Sequence, residues 1–162
     1  MVDITEISAL VAATGVLVGV LYYILEIRHQ NKMRETELVI QISSSFKSRE
    51  FREAYADAMS AEFKDYGEFV KKYGDLFNRN PVCVSVLMLC SFHEELGVLL
   101  RNKLISLHLI SQLFGVVPVW EKLKPIVEGH RRKMGRPSFC EWFEYLYNEL
   151  KKREQKLQQS KA

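Results

Sequence analysis

The sequence is poor in the features that mark disulfide-rich proteins, zinc proteins and β-sheets. It has three cysteines, an odd number, and no Cys-x-x-Cys pair, which argues against a disulfide framework and against a zinc site. Cys83 and Cys90 lie within an apolar run and are predicted to be buried thiols. No stretch shows the apolar–polar alternation of a half-buried strand, and there is no internal repeat. The chain is therefore predicted to be all-α.

Motifs of the common enzyme classes are also missing. There is no phosphate-binding loop, no dinucleotide fingerprint, no HExxH and no GxSxG, and no serine lies in a nucleophile motif. The net charge of +3 is a mild excess that anionic lipids on the inner leaflet explain, and it does not demand nucleic acid. These absences favour a non-enzymatic protein, and we predict no cofactor, no metal and no nucleic-acid partner.

Charge is missing from one long stretch, Ile7 to Leu25, which reads ISALVAATGVLVGVLYYIL. A helix needs about 20 mostly apolar residues to cross the hydrocarbon core, which is roughly 30 Å thick. Such a helix satisfies its own backbone groups in lipid. Tyr22 and Tyr23 stand near its end, where amphipathic rings favour the membrane interface. We predict a transmembrane helix over residues 7–25, with the lipid bilayer as its partner.

Two other interpretations of this stretch are a cleavable signal peptide and a buried helix of a soluble protein. A signal peptide begins with positive charge and ends in a small-residue cleavage site. Here Asp3 and Glu6 precede the apolar run, and no small-x-small pair follows it before the charged cluster. An uncharged N-terminal run of this length is unusual for a soluble helix. The flanking residues favour an uncleaved anchor.

The orientation follows from the basic cluster after the apolar run, Arg28, His29, Lys32 and Arg34. Lys and Arg near a span stay on the cytoplasmic side. We therefore predict a single-pass protein of the cell membrane, with its N-terminus outside and the rest of the chain in the cytoplasm.

Small residues line one side of the predicted span. Gly15 and Gly19 form a GxxxG step, which Ala12 and Ser8 continue. Small residues let two helix backbones approach closely, so this side is a candidate helix–helix contact for a homo-oligomer. The alternative is that these residues only face lipid.

The predicted domain organisation has five parts. They are a short external N-terminus (1–6), the transmembrane helix (7–25), a helical stalk (26–47), a compact helical cytosolic domain (48–150) and a charged tail (151–162).

Cap residues predict the helix starts of the cytosolic domain. Ser48, Asn80 followed by Pro81, and Ser106 each precede a helical pattern. Ser138 to Glu141 has the S-x-x-E pattern of a capping box. The helix that follows Pro81 is apolar on nearly every side from Val82 to Phe92, so we predict it to be the central, buried helix of the domain.

The candidate site of this central helix is the pair Glu94 and Glu95, beside His93. A metal or proton-transfer site is one interpretation, but the Glu-x-x-His steps of a di-iron bundle are missing. We favour a structural ion pair in which one glutamate, with slight preference for Glu95, is buried beside Arg131 or Arg132, because buried charges are nearly always paired.

Two glycines give further expectations. Gly97 continues the side of the helix that carries Glu94, where a neighbouring helix could approach closely. Gly129 separates Glu128 from His130, and these two residues are too close in sequence for a helical ligand pair, so the basic run beside them predicts a solvated helix end there.

Three stretches carry a resemblance. They are the end of the apolar run with the residues after it (YYILEIRHQNKMRETE), FHEELGVLLRNKLIS and VWEKLKPIVEGHRR. Together they resemble a family of uncharacterised prokaryotic proteins. The resemblance implies a single-pass membrane anchor and an all-helical cytosolic domain, and it implies no activity or catalytic residue.

Three functions remain as hypotheses. The first is a membrane-tethered helical module that self-associates or recruits an unknown protein partner. The second is a homo-oligomeric pore or membrane effector, although the span has no ionisable residue to line a water path. The third is an enzyme that uses the Glu94 and Glu95 pair in a helical pocket.

Overall fold

The structure, a computed structural model, describes residues 3–159, and helices make up most of this range. Residues 1–2 of the predicted N-terminus and residues 160–162 of the predicted tail lie outside it. Seven helices occur in the described range: α1 (Ile4–Phe46), α2 (Arg49–Ser60), α3 (Tyr66–Tyr73), α4 (Pro81–Arg101), α5 (Leu107–Leu113), α6 (Val116–Met134) and α7 (Glu141–Gln159). No strand occurs between residues 3 and 159, so the all-α prediction is confirmed.

The chain divides after Ile40 into two units. The first unit is the greater part of α1, a single continuous helix. Its most apolar stretch is long enough to cross a membrane, and none of that stretch is buried. The polar side chains there bond within the helix, since Ser8 Oγ donates to Ile4 O at 2.9 Å and Thr14 Oγ1 donates to Leu10 O at 2.8 Å.

The second unit, from Gln41, is a compact bundle with α4 at its centre. Helix α4 packs against α2 on one side and α7 on another, while α6 packs against α7 and α3. Its largest fully buried side chains come from five helices and the loop before α4: Phe69, Leu76, Leu89, Leu96, Ile110, Trp120, Leu123, Ile126, Phe143 and Leu146. Trp120 meets Phe143 edge-to-face at 4.9 Å between ring centroids, which joins α6 to α7 in the core.

Local caps start most of these helices. Ser48 Oγ accepts from Phe51 N, Asn80 Oδ1 from Val82 N and Ser106 Oγ from Leu109 N. These three predicted caps are confirmed. Each satisfies an amide that has no partner inside its own helix.

Helix α7 continues through most of the stretch that the sequence marks as a charged tail. A contact with α5 supports this extension. Arg153 donates to Ser111 Oγ at 2.9 Å and approaches His108 Nδ1 at 2.7 Å. The charged residues beyond Leu150 therefore form helix as far as Gln159.

Candidate functional site

The junction between α4 and the start of α7 holds several of the residues that the sequence singled out. Gly97 of α4 lies directly against the backbone of α7. A Cβ at Gly97 would stand 2.1 Å from the Trp142 carbonyl oxygen and 2.5 Å from its carbonyl carbon. Only glycine allows this approach, so the predicted close contact of a neighbouring helix at Gly97 is confirmed.

Glu94 caps α7 from across this junction. Its Oε2 accepts the Phe143 amide at 2.8 Å, within the first turn of α7. The N-cap of α7 is Cys140, whose φ of 57° is left-handed and whose thiol offers no strong acceptor. A carboxylate at a helix N-terminus satisfies a free amide and also interacts favourably with the helix dipole.

The predicted capping box at Ser138 is wrong. Helix α7 begins only at Glu141, and the Ser138 carbonyl, not its hydroxyl, accepts from Glu141 N at 3.2 Å. The left-handed turn at Cys140 separates Ser138 from the helix, so the cap comes from α4 instead.

The predicted ion pair also needs correction. Glu95 is exposed, while Glu94 is half-buried, so the preference for Glu95 as the buried carboxylate is wrong. Neither glutamate pairs with Arg131 or Arg132 in the described range. Arg131 donates instead to the Phe139 carbonyl at 2.8 Å and to Glu144 at 2.6 Å, and Arg132 is exposed. Glu94 therefore bonds to the Phe143 amide of α7 and not to the expected arginine of α6.

These assignments predict different costs for the two glutamates. We expect Glu94→Ala to lower the free energy of unfolding by about 1–2 kcal/mol, the usual cost of losing a helix cap. Glu94→Gln should lose less, because it keeps an oxygen that can accept from Phe143. Glu95→Ala, the neighbouring control, should leave stability unchanged. Thermal unfolding of the full chain in detergent measures all three, and equal losses for Glu94→Ala and Glu95→Ala would contradict the capping role.

Two thiols lie behind the Glu94 cap. Cys90 and Cys140 are both buried, free and within hydrogen-bonding reach of each other. This hydrogen bond, together with burial, raises the pKa of the Cys90 thiol, so it is protonated at neutral pH. Cys83 is buried as well, so the predicted burial of Cys83 and Cys90 is confirmed.

Between residues 3 and 159, no group of three His, Cys, Asp or Glu residues is placed to hold a metal ion.

His93 is a buried core residue of α4. Its Nδ1–H donates to the Leu89 carbonyl, with 2.7 Å between the nitrogen and the oxygen, and its ring stacks on Phe143 at 4.6 Å. The Nε2 atom is buried and has no partner among the described residues. Burial lowers the pKa of His93 to about 4, so the imidazole is neutral at physiological pH.

A second polar cluster joins α3 to α6, and sequence reasoning missed it. The Tyr66 hydroxyl lies 3.3 Å from His130 Nδ1 and 3.5 Å from Asp75 Oδ1, and Lys133 donates to Asp75 Oδ2 at 3.0 Å. His130 is only 2% exposed, so the predicted solvated helix end is wrong at this residue. Gly129 permits the contact, because a Cβ there would lie 2.1 Å from Tyr66 Cβ.

The electrostatics of this cluster favour the uncharged form of both rings. Burial lowers the pKa of His130, Asp75 opposes the shift, and Lys133 and Arg136 add to it. Burial and the Asp75 carboxylate raise the pKa of the Tyr66 phenol. The Phe139 ring packs 4.7 Å from the His130 ring. The hydrogen bond between Tyr66 and His130 thus links α3 to α6. Tyr66 and His130 are far apart in sequence, so no local spacing could have revealed their contact.

The small residues that the sequence predicts to form a helix–helix contact lie in α1. Ser8, Ala12, Gly15 and Gly19 are all exposed. A Cβ at Gly15 or at Gly19 would meet nothing within 4 Å. Neither glycine is therefore required by a contact that the structure describes.

The fold defines an all-helical protein in which a long apolar N-terminal helix precedes a compact helical unit. The chain belongs to the DUF4760 family, described as a domain of unknown function, whose family model matches residues 9–150. The match confirms the expectation of an uncharacterised family, and it covers part of the apolar helix as well as the compact unit. No curated protein and no solved structure matches the chain.

Proposed function

We propose that this protein is a membrane-tethered helical module that self-associates or recruits a protein partner through its helical domain. The observation that carries the proposal is the apolar stretch of α1, none of which is buried. Its exposed large side chains include Leu10, Val16, Leu17 and Leu21, each more than 60% exposed. A continuous apolar surface of this kind is costly in water and marks a membrane or protein contact.

The chemistry of this stretch fits lipid better than a protein groove. It is apolar on all sides, as expected of a helix surrounded by lipid, rather than on one stripe. Ser8 and Thr14 donate to carbonyls of their own helix, which lowers the cost of bringing their hydroxyl groups into lipid. The basic residues that follow favour the cytoplasmic side for the compact unit.

A single span is the arrangement that the burial pattern favours. Helix α4 is also long and apolar enough to cross a membrane, but half of its most apolar stretch is buried in the bundle. Removing α4 from the bundle would separate it from α2 and α7, with which it packs extensively. We therefore assign α1 as the anchor and α4 as the core helix.

The anchor predicts a simple fractionation result. The full chain made with lipid vesicles should float with them and resist extraction at alkaline pH. Replacing Val16 and Val20 with aspartate should weaken both properties, because a carboxylate at the centre of a span costs about 2.5–3.5 kcal/mol. The control carries the same two aspartates at exposed positions of α7, Lys152 and Lys156. Wild-type protein that is released at alkaline pH would contradict the proposal.

Self-association through the small-residue side of α1 gives a second test. Gly15→Ile combined with Gly19→Ile should lower the yield of cross-linked dimer in membranes, because the added side chains keep the two helices apart. Ala13→Ile with Leu17→Phe adds bulk to the opposite side and is the matched control. Equal cross-linking of all variants would leave α1 as a plain anchor.

A further inference from the structure

The outer face of α4 is less covered than its sequence predicts. The run from Val82 to Phe92 is apolar on nearly every side, yet Val84 remains 48% exposed and Met88 38% exposed. These two side chains lie one turn apart on the same face of the helix. The expected burial on every side is therefore wrong for this face, which adjoins α2.

Two grooves meet beside this face, and Phe51 of α2 lines both. The first groove has a volume of about 220 Å³ and is lined by Phe46, Lys47, Phe51, Arg52 and Tyr55. The second groove has a volume of about 380 Å³, and its lining includes Glu50, Phe51, Met88, Phe92 and Glu95. Phe51 is itself 5% exposed and forms the shared floor.

The two grooves carry opposite charge. Lys47 and Arg52 border the first, whereas Glu50 and Glu95 border the second. All four residues are exposed, and none has an ion-pair partner among residues 3–159. Successive helix positions are about 100° apart, so Glu50 and Arg52 lie on either side of Phe51.

We propose that this surface, formed by Lys47, Glu50, Phe51, Arg52, Met88 and Glu95 and named here the Phe51 surface, binds the same surface of a second copy of the chain. A two-fold axis brings one patch against itself, so that residue i meets residue j of the other copy and residue j meets residue i. The Phe51 surface has acidic residues on one side of its centre and basic residues on the other. When a two-fold axis turns a second copy of this surface to face the first, acidic residues therefore lie opposite basic ones. Glu50 of each copy then faces Arg52 of the other.

The proposal rests on the proposed function, because association of the spans is what brings two copies together. Tethering two surfaces in this way raises their effective concentration, so a small patch can associate although it would not do so in dilute solution. In such a contact the exposed part of Met88 supplies apolar area beside the buried Phe51 ring, while the charges set orientation and exclude wrong partners. A different protein would need its own complementary charges, whereas a second copy already carries them.

A charge exchange tests the pairing. The dimer dissociation constant of the full chain in density-matched detergent is measured by analytical ultracentrifugation for wild type, Arg52→Glu, Glu50→Arg and the double variant. Each single change places like charges opposite each other twice in a two-fold dimer and should raise the dissociation constant about tenfold. The double variant should recover most of the wild-type affinity, because it exchanges the two charges. Lys71→Glu, an exposed change on α3, is the control and should behave as wild type.

The outcomes separate this inference from the function on which it rests. Weakened single variants with a recovered double variant support the Phe51 surface as a self-association site. Single variants that dimerise as wild type, or a double variant as weak as the single ones, would overturn it. If Gly15→Ile with Gly19→Ile abolishes the dimer while the charge variants have no effect, the span self-associates and only this inference fails. A wild-type chain that stays monomeric overturns both self-association claims, while vesicle flotation still reports separately on the anchor.

Discussion

Gly97→Ala is expected to destabilise the compact unit by about 3 kcal/mol or more, the upper part of the range for overpacked cores. The added Cβ would stand 2.1 Å from the Trp142 carbonyl oxygen, and its neighbours at 2.5 Å and 2.9 Å are the Trp142 carbonyl carbon and Cβ. Backbone atoms cannot move aside as a flexible side chain can. Helix α7 must therefore shift away from α4, which also strains the hydrogen bond between Glu94 and Phe143.

The control for this prediction is Val98→Ala, at the next position of the same helix. Val98 is 38% exposed, so its truncation removes little buried surface. Thermal unfolding of the full chain in detergent should show a large fall in midpoint for Gly97→Ala and a small change for Val98→Ala. A Gly97→Ala protein with the wild-type midpoint would mean that α4 and α7 are not in backbone contact.

Acid is expected to destabilise the protein through His93. Its pKa in the folded state is about 4, against an ordinary value of 6.5. As the pH falls below 6.5, the unfolded chain binds a proton at this position while the folded chain does not. Stability is therefore lost between about pH 6.5 and pH 4, and His93 contributes no further loss below that range. At about 1.4 kcal/mol for each pKa unit, the total loss is about 3 kcal/mol.

His93→Leu should remove this contribution. Leucine cannot titrate, and the Leu89 carbonyl keeps the backbone amide of the α-helix as a donor. We expect the midpoint of wild type to fall more steeply than that of His93→Leu between pH 7 and pH 4.5. His130 titrates in the same direction but is present in both proteins, so it does not affect the difference. His29→Gln, at an exposed position, is the control for loss of a histidine, and parallel pH profiles for wild type and His93→Leu would refute the assignment.

The elements that the sequence predicted well depend on residues close together in the chain. A helix cap involves a side chain and an amide two or three residues away, as at Ser48, Asn80 and Ser106. The long apolar helix depends on composition over a single stretch. Helix content and most helix starts follow from such local patterns because the interactions that produce them are local.

The polar contacts of the candidate site were harder to predict. Glu94 and Phe143 are 49 positions apart, and Tyr66 and His130 are 64 positions apart. Adjacent acidic residues such as Glu94 and Glu95 look alike in sequence, and charge pairing alone suggested the wrong partner and the wrong glutamate. The left-handed turn at Cys140 had no sequence signal, since this residue type does not favour positive φ.

Local chemistry therefore determined that the protein is all-α, that one helix contains a long uncharged apolar stretch, and where most of its helices begin. The packing of α4 against α7, of α6 against α7 and of α3 against α6 decided which carboxylate caps a helix, which arginine pairs with which glutamate, and which histidines are buried. The physical reason is that burial and long-range hydrogen bonds depend on the distances between helices. Those distances are set at Gly97 and Gly129, where the absence of a side chain lets another element approach, and this is known only once the neighbouring element is in place.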